Sequence, residues 1–174
     1  MTDETTTPET SVLVLVSRPG NRRVLVDWIR NAPAYSLVSA PEESDVERLP
    51  AFDVCLVDRS GLRRFADAIR RSQRGERAFL PCLLVEDRGR SLEGLDSSLQ
   101  SLIDDVMTAP INPERLRFRI DTLARRRYLS KELWGAEERY RRLFELAPNA
   151  KLLVEDGVIE APNRAAEQFF QRES

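Results

Sequence analysis

Val12 to Val16, Val54 to Val57 and Cys82 to Val85 are apolar at every position. A strand with one wet face alternates apolar and polar residues. Runs without alternation belong to strands covered on both sides, the situation of a parallel sheet with helices on its two faces. This feature limits the fold more than any other in the chain.

The intervening segments carry helix and turn signals. Pro19-Gly20-Asn21 turns the chain, and Val24, Leu25, Trp28 and Ile29 then recur at helical spacing up to Asn31. YSLVS after Pro33 reads as a short strand and PEESDVERL as a short charged helix with Pro41 at its start. After Val57 the spacing predicts an Arg-Ser-Gly turn closed by Gly61. A helix marked by Leu62, Phe65, Ala66 and Ile69 follows and ends in the basic stretch RRSQRGER. Leu92, Leu95, Leu99 and Leu102 fit one face of a further helix, and DDVMTAP supplies a fifth strand. Five strand and helix alternations within about 120 residues predict an α/β domain with a flavodoxin-like, five-stranded parallel sheet and helices on both faces.

The chain has 174 residues, enough for one domain with an appendage, and is 41% hydrophobic and 32% charged. The first ten residues, MTDETTTPET, have no apolar stretch, so residues 1–10 are expected to be a disordered start with no leader. No run is long enough to span a bilayer, and a cytoplasmic location is expected. A net charge of -2 argues against nucleic acid as a partner. The absence of histidine excludes a histidine base, a histidine metal ligand and a phosphoryl-donating histidine in this chain. Cys55 and Cys82 lie inside apolar runs and read as inert core thiols.

In such a sheet, chemistry lies at the carboxyl ends of the strands. Those ends are Ser17 and Arg18 after the first, Asp58 after the third, Glu86 and Asp87 after the fourth, and Ala109-Pro110 after the fifth. The segments VLVLVS, DVCLVDRSG, LPCLLVED and VMTAPINPERL, in that order, resemble the receiver domain of two-component signalling over residues 11–128. The resemblance implies that Asp58 holds the phosphoacceptor position and that Pro110 follows a cis bond. It also implies that an acid pair should stand where Ser17 and Arg18 are, a hydroxyl residue at Glu86 and a lysine at Ala109. Of that working set Asp58 alone is present.

Phosphoryl transfer to a carboxylate brings anions together, and a divalent ion and a lysine normally neutralise them. Without the acid pair, magnesium loses most of its oxygen ligands. The expectation is therefore a non-catalytic, degenerate receiver (pseudo-receiver) without a cofactor or resident metal. The alternative is a receiver that is phosphorylated on Asp58 and uses magnesium. In the first case Asp58 either pairs with Arg18 or Arg59 or faces water in its turn. A weaker reading makes SRPGNRR an anion site using Arg18, Arg22 and Arg23.

From Glu114 to Leu146 there is no proline, so one helix of about 33 residues, about 50 Å long, is expected. Leu116, Ile120 and Leu123 face the domain core. Leu129, Leu133, Ala136, Tyr140, Leu143 and Ala147 form a second seam at alternating spacings of four and three. Such a seam predicts a linker or coiled-coil helix over 129–147 and a homodimer through it. Arg125 to Arg127 read as a solvated face or a helix contact. RLFELAPNA, LLVEDG, VIEAP and NRAAEQFF resemble the opening of a PAS sensor domain over 148–174, with Asn163 as an N-cap for Arg164 and Ala165. The whole resembles part of an archaeal or bacterial multidomain sensor, such as a histidine kinase or transducer-like protein. The partner it implies is another protein, a signalling kinase or an output domain, met by the region from about Leu92 to Ile120.

Overall fold

The computed structural model describes residues 9–41, 48–88 and 94–171. They form two compact units divided after Ser130.

Five strands in the first unit pair in parallel in the order β2-β1-β3-β4-β5: β1 (Thr10–Leu15), β2 (Tyr35–Val38), β3 (Val54–Val57), β4 (Cys82–Glu86) and β5 (Asp105–Thr108). This is the flavodoxin-like arrangement. β3 and β4 are buried at every position, as continuous apolar strands require when both faces are covered. Even-numbered β1 residues (Val12, Val14) join Val54, Leu56, Leu83 and Val85 in one core, while Leu13 and Leu15 join Cys55, Val57, Cys82 and Leu84 in the other. Helix α1 (Pro19–Arg30) and the start of α4 (Pro113–Glu145) contribute to the first core, and α2 (Arg59–Gly75) to the second.

The strand begins two residues earlier than Val12. Thr10 donates its amide to the Ala34 carbonyl, and Ser11 gives both its amide and its hydroxyl to Asp53 Oδ2 at 3.1 and 2.7 Å. Pairing thus continues into polar residues that apolar patterning does not mark. The Arg-Ser-Gly segment is not a turn but the first turn of α2, because Asp58 caps the helix and places Gly61 at its third position. Leu95, Leu99 and Leu102 are buried as expected, yet the helix there, α3, is a single turn over Ser97–Gln100. Asp96, Ser97 and Ser98 favour caps and turns over a helix interior. Leu92 and the helix expected within PEESDVERL (residues 42–47) lie outside the described residues.

Helix α4 runs unbroken for 33 residues. Leu116, Ile120 and Leu123 are fully buried. Past them the apolar seam is open, from 56% exposed at Leu129 to 74% at Leu143.

The second unit holds the end of α4, an antiparallel hairpin of β6 (Leu152–Glu155) and β7 (Val158–Pro162), and α5 (Arg164–Gln171). Asp156 and Gly157 turn the hairpin with φ of 50° and 80°, the left-handed pair that a two-residue hairpin loop needs. Asn163, wholly buried, joins the parts. Its Oδ1 accepts the amides of Lys151 and Ala166, and its Nδ2 donates to the carbonyls of Phe144 and Asn149. The capped amide is that of Ala166, two residues beyond Arg164.

Candidate functional site

The carboxyl ends of β1, β3 and β4 enclose a cleft of about 240 Å³ lined by Ser17, Arg18, Asn21, Asp58, Arg59, Ser60, Val85, Glu86 and Asp87. The strand order brings these residues together although they are far apart in sequence. Ala109 and Pro110, joined by a cis bond, are outside this lining.

Asp58 is held by backbone amides. Its Oδ2 accepts from Ser17 N at 2.8 Å and Arg18 N at 3.0 Å, and its Oδ1 accepts from Gly61 N at 2.7 Å. Three donors from two segments satisfy the carboxylate and tie the β1–α1 turn to the start of α2. Gly61 is required for this approach, since a Cβ there would sit 1.8 Å from the Leu15 carbonyl oxygen.

Neither arginine pairs with Asp58, contrary to one expectation; both turn to acids at the end of β4. Arg59 Nε donates to Glu86 Oε1 at 2.7 Å, with the two side chains only 13% and 3% exposed. Arg18 Nη1 meets Asp87 Oδ1 at 2.5 Å in a more open position. Arg18 gives its own amide to Asp58 while its side chain reaches Asp87, and Arg59, next to Asp58 in the chain, sends its side chain to Glu86. Glu86 Oε2 is buried without a hydrogen-bond partner.

The residues present do not fit a magnesium ion. Asp58 already accepts three amides, Ser17 and Arg18 bring no oxygen ligands of the kind an acid pair would supply, and Arg59 holds Glu86 Oε1. Among the described residues no group of three or more metal-binding side chains is gathered. None of these positions carries a lysine that could neutralise a transferred phosphoryl group. Of the arginines in the SRPGNRR stretch, Arg18 is committed to Asp87, and Arg23 lies 3.6 Å from Asp27.

The residue that sequence reasoning missed is Arg127. It is 4% exposed. Its Nε donates to Asp53 Oδ1 at 3.0 Å, its Nη1 to the Phe79 carbonyl at 2.9 Å and its Nη2 to Glu76 Oε2 at 3.3 Å. The signal was present: 116, 120, 123 and 127 continue one four-three-four stripe, so the fourth member falls on the buried face.

The core cysteines stand side by side across β3 and β4. The hydrogen bond to Cys55, then burial, pushes the Cys82 thiol up, away from reactive thiolate.

The chain matches no known protein-family model and no curated protein. Among solved structures, NtrX from Brucella abortus in complex with ADP superposes with a TM-score of 0.57 at 17% identity, covering 94% of this chain and 34% of that one. This chain therefore spans about a third of that NtrX chain. An adenylate cyclase from Rhodopirellula baltica superposes with a TM-score of 0.52 at 11% identity, over 77% of this chain and 98% of that one. The receiver domain of the sensor histidine kinase PA1611 from Pseudomonas aeruginosa, with magnesium in its active-site cleft, gives 0.49 at 17% identity over 66% and 97%. Strand order and helix placement give the first unit the flavodoxin-like fold on which receiver domains are built.

Proposed function

We propose that this chain is a non-catalytic signal-transduction module of the two-component type, in which a receiver-fold domain relays partner binding through α4 to the region that follows it. The observation that carries this reading is how the acids of the cleft are held. Asp58 accepts three backbone amides, and beside it Arg59 pairs with Glu86 instead of leaving a free acid to hold an ion. Such a domain is a fixed recognition body, a pseudo-receiver, and needs no cofactor.

The relay is α4, whose buried stripe belongs to the first unit and whose open seam continues beyond it. The partner fitting that seam is a second copy of the chain, since heptad spacing of Leu129, Leu133, Ala136, Tyr140 and Leu143 presents one continuous apolar edge to its like. The hairpin and α5 supply the opening elements of a PAS sensor domain, and the other partner is a signalling kinase or output domain. No helix among the described residues is long and apolar enough to cross a membrane, and the module is assigned to the cytoplasm.

A second reading keeps Asp58 as a working phosphoacceptor, favoured by its half-exposed place on the cleft wall. Calorimetric titration with magnesium separates the two. The pseudo-receiver gives no saturable binding at millimolar metal, and binding that disappears in Asp58→Asn supports the second reading instead.

A further inference from the structure

We propose that Arg127 is a latch that couples the long helix to the base of the parallel sheet, with a docked and an undocked state. The inference rests on the reading of α4 as the relay. It names the point where helix and sheet exchange force.

Arg127 is the last buried residue of α4, since Tyr128 and Leu129 are already more than half exposed. Its guanidinium reaches three separate segments: Asp53 at the start of β3, Glu76 at the end of α2, and the Phe79 carbonyl ahead of β4. Ser130, one turn on, accepts the Phe79 amide on its hydroxyl at 2.9 Å. Asp53 passes the connection to β1 through the amide and hydroxyl of Ser11. One side chain thus gathers β1, α2, β3 and the segment leading into β4 onto α4.

The chemistry of arginine makes this a switch rather than a simple core contact. The guanidinium cannot shed its charge on burial, so it stays docked only while its acceptors hold it. Those acceptors lie at the rim, with Asp53 and Glu76 partly exposed, so water can replace the arginine there. One turn earlier, the Leu116–Ile120–Leu123 stripe is fully apolar and sealed. Opening is therefore confined to the part of α4 after Leu123, a local cooperative unit distinct from global unfolding.

Hydrogen exchange on the full chain, read by mass spectrometry, tests the latch. In Arg127→Met, and in Asp53→Asn should the first variant fail to fold, three places should exchange at least about tenfold faster together. They are the amides of Ser11 and Phe79 and those of residues 124–130. The Ser17, Arg18 and Gly61 amides held by Asp58 should keep their rates. Unchanged rates at the three places, or acceleration of equal size at the cleft, overturn the latch. Transmission is read separately, over Leu152–Pro162: faster exchange at the latch with unchanged rates there upholds the latch and defeats the relay reading.

Discussion

Asp58 Oδ1 accepts the amide of Gly61 at 2.7 Å, and the contact exists because Gly61 has no side chain: a Cβ would lie 1.8 Å from the Leu15 carbonyl oxygen. The fixed acid, the start of α2 and the end of β1 are thus one construction. Gly61→Ala should push α2 off β1 and cost about 3 kcal/mol or more, a severe overpacking because the obstacle is backbone. Urea denaturation measures it, and a loss below about 1 kcal/mol would contradict the close approach.

The Arg59–Glu86 pair predicts a non-additive cycle. Arg59→Met leaves Glu86 buried against an apolar wall and should cost about 3 kcal/mol or more. Glu86→Leu combined with Arg59→Met removes both charges and should lie within about 1 kcal/mol of the parent. Equal and additive losses from the two single variants would show that the charges do not depend on each other.

Much of this architecture is legible in sequence, and the reason is geometrical. Continuous apolar strands such as Val54–Val57 announce a sheet covered on both faces, and their last residues name the positions around the cleft. The pairing inside the cleft is less legible. Arg18, Arg59, Glu86 and Asp87 could combine in several ways, and the choice depends on which strand end lies opposite which helix start. The short α3 was hidden because burial of Leu95, Leu99 and Leu102 needs only their side chains on one side, which a single turn with bent flanks also provides. Arg127 was hidden by its type: the four-three-four stripe marked it, but an arginine in a basic run reads as surface.

Asp104 predicts a pH dependence. Its Oδ2 accepts the Cys82 amide at 2.8 Å, and burial, stronger than the opposing pull of that bond and of Arg126, raises its carboxyl above the usual range. The folded chain then holds the Asp104 proton more tightly than the unfolded chain does. Stability from this group is complete below the unfolded value of about 3.9 and is lost as pH rises through the raised folded value. Asp104→Asn keeps an acceptor but cannot ionise. Denaturation midpoints of variant and parent should agree near roughly pH 3 and diverge in favour of the variant toward neutrality. A variant that loses ground as pH rises would contradict the sign.

The seam on α4 predicts an oligomer. Light scattering on the full chain should give the mass of a dimer, and Leu133→Glu with Leu143→Glu should halve it, because both substitutions place charge on the apolar edge. These side chains are solvent-exposed within one chain, so folding of the first unit should be unaffected. A parent chain that is monomeric at all concentrations would contradict the self-association.

The degenerate site is tested most directly by chemistry at Asp58. After incubation of the full chain with acetyl phosphate and magnesium, intact mass measurement should find the chain unchanged, because Asp58 is tied to the amides of Ser17, Arg18 and Gly61 and the cleft has no acid pair to bring in the ion and no lysine at 109. A stable gain of one phosphoryl group, absent in Asp58→Asn, would contradict the account.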